Sequence, residues 1–231
     1  MKTLGLIGGM SWESTAIYYR LLNEIVRERL GGLHSARLLL WSFDFAEIAE
    51  RQHAGDWQGA GVLLIDVARK LESAGAEGLL ICTNTMHKLA DAVQAAVSIP
   101  LIHIADATAV AVRGAGVNRP ALLATRFTME QEFYKGRLTD TYGLQPVVPD
   151  QAGRDMVHRV IYEELCQGVV TGESKAAYID EIARMRRDEK IDGVIMGCTE
   201  ITMLIGQQDF DIPVFDTTRI HAEAAVGFAL G

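Results

Sequence analysis

The sequence predicts an α/β fold of two pseudo-symmetric domains, each a parallel sheet flanked by helices, produced by internal duplication. Three observations carry this. Apolar runs of 4–6 residues alternate with longer amphipathic stretches, the pattern of strands buried on both faces beneath helices. An apolar run, Thr3-Leu4-Gly5-Leu6-Ile7, leads into Gly8-Gly9-Met10-Ser11, and a similar unit, Ala121-Leu122-Leu123-Ala124, leads into Thr125-Arg126-Phe127-Thr128. Cys82-Thr83-Asn84 follows one further apolar run, and Cys198-Thr199-Glu200 follows another. Gly8 precedes Cys82 by 74 residues and Ala124 precedes Cys198 by 74, with Ile99-Pro100 and Ile212-Pro213 downstream of each cysteine. The same order twice marks a repeated unit.

The elements follow from the chain in order. Strands are expected over 3–8, 36–42, 78–82, 100–103, 120–124, 145–148, 193–197 and 213–215. Helices are expected over 12–30, 45–50, 57–74, 86–97, 105–114, 129–142, 153–167, 174–189 and 218–229. In the first helix Ile17, Leu21, Leu22, Ile25 and Val26 recur at helical spacing, and Gly31-Gly32 stops it. Val157, Val160, Ile161, Glu164 and Leu165 share one face of the helix expected at 153–167. The seam lies near Gly114-Ala115-Gly116-Val117-Asn118. It divides the chain into 1–115, carrying Cys82, and 116–231, carrying Cys198, with the last helix able to pack back on the first half.

Composition excludes several function classes. The net charge of −8, without a Lys/Arg run, argues against a nucleic-acid partner. No apolar stretch reaches the roughly 18 residues of a membrane span. The N-terminus runs straight into a strand pattern rather than a signal peptide, so a cytoplasmic location is expected. Three cysteines, Cys82, Cys166 and Cys198, are too few for a disulfide framework and serve as core filler or chemistry. Cys166, inside a helical run, reads as filler. Gly5-Leu6-Ile7-Gly8-Gly9 lacks dinucleotide spacing, no Walker A pattern occurs, and no lysine stands in a pyridoxal-phosphate context. The six histidines show no metal-ligand spacing, and His103 and His221 read as supports. No cofactor and no metal is expected.

Cys82 and Cys198 read as chemistry. In a doubly wound sheet the strand C-termini face the ligand, and a cysteine before a helix start can be held as a thiolate. Two pseudo-equivalent domains closing on a small molecule would bring the two cysteines to opposite faces. One thiolate then removes a proton from Cα while the opposite thiol returns one, inverting the stereocentre. Thr83, Asn84, Thr85 and Thr199, with loop N–H groups, suit the substrate carboxylate. Gln52 and Arg51 read as solvated residues near a sheet edge. Glu164, a carboxylate on an apolar stripe, reads equally as a functional group or a stripe edge. Two other readings stand beside racemisation: a related cysteine-dependent carbon-acid enzyme, a decarboxylase or cis–trans isomerase, and a non-catalytic amino-acid-binding protein.

Gly8-Gly9-Met10-Ser11, Cys82-Thr83-Asn84-Thr85-Met86-His87, Thr125-Arg126-Phe127-Thr128 and Gly197-Cys198-Thr199-Glu200 together resemble the cofactor-independent aspartate/glutamate racemase superfamily, in its aspartate racemase branch. The likeness extends to Gly31-Gly32-Leu33-His34-Ser35 and Asp216-Thr217-Thr218-Arg219-Ile220-His221-Ala222. It implies two pseudo-symmetric α/β domains, a two-thiol mechanism, a free amino acid as substrate and a homodimer. By position it implies Cys82 and Cys198 as the acid/base pair and Met10, Gln52, Thr83, Asn84, Thr85 and Glu164 as substrate contacts. Thr125, Thr128, Thr199 and Glu200 are added as further contacts. Family members specific for aspartate carry cationic groups for the side-chain carboxylate, whereas this chain has Glu164 and Gln52, so a neutral or broad substrate range is expected.

Overall fold

The computed structural model describes residues 1–231. Strands β1 (Leu4–Gly8), β2 (Leu38–Ser42) and β3 (Gly78–Ile81) form one parallel sheet in the order β2-β1-β3. Strands β4 (Pro120–Ala124), β5 (Gly193–Gly197) and β6 (Val214–Asp216) form a second, in the order β4-β5-β6. Single parallel bridges add one rung to each, Leu79 with Leu101 beyond β3 and Ala121 with Val147 beyond β4. Counting these rungs, the two sheets share one topology. The first strand is central, the second lies on one side, the third on the other and the fourth beyond it. Duplication is therefore visible in the connectivity.

Two expected strands, 100–103 and 145–148, shrink to these bridges. Pro100 and Pro146 stand beside the bridging residues and cannot donate to a ladder. The register also corrects the repeat spacing. Leu4 pairs with Gly78 and Pro120 with Gly193, offsets of 74 and 73 residues. Carried one residue past the strands, Gly8 stands beside Cys82, and Thr125, not Ala124, stands beside Cys198. The loops Gly8–Ser11 and Thr125–Thr128 thus begin at equivalent points.

The helices are α1 (Trp12–Leu30), α2 (Phe45–Ala54), α3 (Trp57–Ser73), α4 (Ala90–Gln94), α5 (Ile104–Gly114), α6 (Arg126–Glu130), α7 (Glu132–Gly136), α8 (Gln151–Glu163), α9 (Gly172–Glu189) and α10 (Thr217–Leu230). Side-chain caps start the longer ones: Ser11, Asp44, Asp56, Asp150 and Thr171 each accept an N–H of the first turn. Three expected helices differ. The stretch 86–97 divides into a 3₁₀ turn, Thr85–Leu89, and α4. The stretch 129–142 divides into α6, α7 and a π turn, Arg137–Thr141. The helix expected over 153–167 ends at Glu163, and Cys166 lies in a 3₁₀ turn, Leu165–Gln167.

The chain divides into two compact units, residues 1–104 with 221–231, and residues 105–220. Side-chain alternation builds the first unit's core. Ile7, Leu79 and Ile81 point to one face and pack against Leu64, Val67 and Ala68 of α3. Leu4, Leu6, Leu80 and Cys82 point to the other and pack against Tyr18, Leu22 and Val26 of α1 and Ala222, Ala225 and Val226 of α10. No helix is long and apolar enough to cross a membrane.

Candidate active site

In the first unit the predicted residues gather at the C-terminal ends of β1 and β3. The Gly8-Gly9 turn is shaped by contact. Gly9 has φ +84°, and a Cβ there would sit 2.3 Å from the backbone of Phe43, while its N–H donates to Thr15 Oγ1 at 2.8 Å. Met10 follows, buried in the same cluster as Ile48 and Met86. Cys82 continues the ladder, its N–H donating to the Ile7 carbonyl at 2.9 Å. Thr83 is half-buried, and Asn84 and Thr85 are buried at the start of the 3₁₀ turn. Gln52 corrects the solvated reading. Helix α2 runs past the expected end, and Gln52 is buried, its Nε2 donating to Met86 Sδ at 3.0 Å. Arg51 is half-buried and paired with Asp56 at 3.3 Å.

In the second unit, Thr125 and Thr128 follow β4, with hydroxyl oxygens 3.4 Å apart. Cys198 follows β5 and is half-buried, and its Sγ donates to Glu200 Oε2 at 2.9 Å. Thr199 Oγ1 lies 3.0 Å from Thr218 Oγ1. Glu164 sits past the end of α8 with non-helical backbone, φ −124° and ψ −71°. It therefore leaves the apolar stripe and is bonded by Ser174, Arg159 and Thr171. The Ser174 hydroxyl, then Arg159, hold its carboxyl below the usual carboxylate range, so it is ionised at neutral pH.

The electrostatics correct one expectation. Only 3₁₀ turns follow the two cysteines, Thr85–Leu89 and Thr199–Met203, too short to supply a helix-end field. Burial dominates instead. It pushes the Cys82 thiol up strongly. It also pushes Cys198 up, with the negative charge of Glu200 and then Cys166 adding to it. Both thiols are thus favoured in the protonated form. Cys166 is half-buried, and Tyr162 is raised by burial first and then by its neighbours Cys198, Cys166 and Glu200.

A family model described as Asp/Glu/Hydantoin racemase matches residues 7–225. The chain belongs to that family. It is accordingly an isomerase of the racemase type. A crystal structure from Yersinia pestis, provisionally described as an Asp/Glu racemase, is similar at 53% identity and a TM-score of 0.95, covering 100% of each chain. An aspartate racemase homologue from Pyrococcus horikoshii is similar at 37% identity and a TM-score of 0.89, again over 100% of each chain. The broad specificity amino-acid racemase RacX of Bacillus subtilis is 18% identical over 96% of each protein.

Several groups that bear on the two cysteine loops escaped the sequence reading. Ser14 Oγ donates to the carbonyl of Cys82 at 3.1 Å, and Thr217 Oγ1 donates to the carbonyl of Met196, two residues before Cys198, at 2.8 Å. Ser14 and Thr217 each sit in the first turn of a helix, as ordinary N-terminal residues do, and no local signal distinguishes them. Tyr178 is buried, and Cys198 and Glu164 both contribute to its upward shift after burial. Its closeness to that pair arises only when α9 packs.

Proposed function

We propose that this protein racemises free amino acids without a cofactor, using Cys82 and Cys198 as paired acid and base. The observation that carries the reading is the equivalence of the two cysteines. Each is the first residue past the corresponding strand of two sheets with one topology, in a chain of a racemase family. In each turnover one cysteine begins as thiolate and the other as thiol. The thiolate takes the Cα proton, the electron pair stays on the α-carbon, and the opposite thiol delivers a proton to the other face. The enzyme ends with the roles exchanged, and the reverse reaction restores them. Desolvation serves this chemistry. A thiolate stripped of water is scarcer, but it is a stronger base, which narrows the gap to a weakly acidic C–H.

Thr83, Asn84, Thr85 and Thr199 supply donors for the carboxylate, with Met10, Gln52, Thr125, Thr128 and Glu200 as further contacts. The ionised Glu164 disfavours an anionic side chain nearby, and Gln52 is neutral. Both support a neutral or broad substrate range over strict aspartate specificity.

The test uses single enantiomers in D₂O. Wild-type protein should racemise neutral amino acids and place deuterium at Cα in both directions. Cys82→Ser and Cys198→Ser should each lower racemisation by about 10³-fold or more. Full activity in either variant removes the two-thiol mechanism, and activity confined to aspartate removes the broad specificity. A homodimer is the proposed assembly. Light scattering should return about twice the 25.3 kDa chain mass, and the monomer mass would refute it.

A further inference from the structure

We propose that His87 is the positioning residue of Cys82, gripping the backbone of the cysteine loop through one tautomer; the proposal rests on the racemase reading above. His87 is buried in the 3₁₀ turn after Cys82. Its Nδ1 lies 2.7 Å from the carbonyl oxygen of Thr83, and its Nε2 receives the amide N–H of Ile104 at 3.2 Å. A carbonyl only accepts and an amide N–H only donates. The proton is therefore on Nδ1, and Nε2 carries the lone pair. An imidazolium would lose the Ile104 bond.

The grip matters because of where β3 ends. Past Ile81 the carbonyls of Cys82 and Thr83 have left the strand, and each is held from a different element. Ser14 of α1 holds the first, and His87 holds the second. The Ser14 bond holds the peptide plane that follows Cys82, and the His87 bond holds the next one, so the loop that carries Cys82 is anchored on its C-terminal side. The His87 ring is itself bracketed. His103 meets it edge-on with ring centres 4.7 Å apart, and His221 does so at 5.6 Å. His221 is locked in turn, its Nε2–H donating to the Ile102 carbonyl at 2.7 Å and its Nδ1 accepting from Tyr18 at 2.8 Å. Residues far apart in sequence thus form one buried support behind the first thiol.

The experiment separates the two thiols with the enantiomers of 3-chloroalanine. Elimination needs only proton abstraction. The Cα–H electrons form the Cα=Cβ bond, chloride leaves with the C–Cl pair, and the 2-aminoacrylate is hydrolysed to pyruvate and ammonium. Each enantiomer reports the cysteine on one face. His87→Asn keeps an amide nitrogen at the Nδ1 position and should stay within about threefold of wild type on both enantiomers. His87→Gln moves that nitrogen to the Nε2 position. It should lose about tenfold or more in kcat on one enantiomer, with KM little changed and the other enantiomer within about threefold. Equal loss on both enantiomers, or an unaffected His87→Gln, overturns the proposal while leaving racemisation intact. If His87→Gln fails to fold, His87→Asn decides, and a loss beyond about tenfold overturns it. Wild-type protein that neither racemises nor eliminates overturns the racemase reading, and this one with it.

Discussion

Glu200 is where the two cysteines part company. The duplicated motif places Asn84 two residues after Cys82 and the carboxylate of Glu200 two residues after Cys198. The Cys198 thiol donates to that carboxylate, whose charge adds to burial in holding the thiol protonated. Removing the charge lets the thiolate form at lower pH. In Glu200→Gln the pH midpoint for alkylation of the Cys198 peptide should therefore move down, read by mass spectrometry after short iodoacetamide pulses. A midpoint that stays or rises would show that Glu200 does not govern this thiol. The two Cys-Thr motifs were legible as residues, and so was the difference between Asn and Glu. What the hydrogen bond does to the thiol was not, because it depends on a side-chain torsion and on exclusion of water.

At the scale of elements, α1 and α10 are joined by a buried hydrogen bond, Tyr18 to His221. Burial depresses His221 from 6.5 to about 4, against the raising effect of its bond to Ile102. The unfolded chain thus takes up this proton first on acidification. The stabilising effect is complete above pH 6.5 and is lost as pH falls toward 4, on the order of 3 kcal/mol in all. Tm should drop across that window in wild type and drop less in His221→Asn. An equal drop in both would place the pH dependence elsewhere. Helical spacing and stop signals found α1, α3, α5 and α9 to within a few residues. They failed at the cysteine-loop turn and between 126 and 142, where local 3₁₀ and π geometry interrupts a pattern that reads as continuous. They failed again at Glu164, whose bonds to Ser174 and Thr171 reach across a chain reversal.

For the whole molecule, alternation along β3 has a consequence for access. The phase that buries Leu80 against α1 and α10 buries Cys82 with it, at 0% exposure, while Cys198 and Cys166 remain half-buried. In ligand-free protein a brief iodoacetamide pulse should label Cys198 and Cys166 well before Cys82, quantified on the separate peptides. Cys82 labelling first would mean that the α1–α10 face is open in solution.

By itself the sequence determined the α/β class, the duplication and the pair of cysteines at strand ends, because apolar periodicity and repeated motifs are local and survive without coordinates. Only the tertiary structure decided the register of the repeat, the burial that shifts both thiols upward, and the meeting of Ser14, Tyr18, His87, His103 and His221 behind Cys82. Those features depend on desolvation and on hydrogen bonds between residues as far apart as Ile102 and His221, and such bonds leave no periodic trace in the chain.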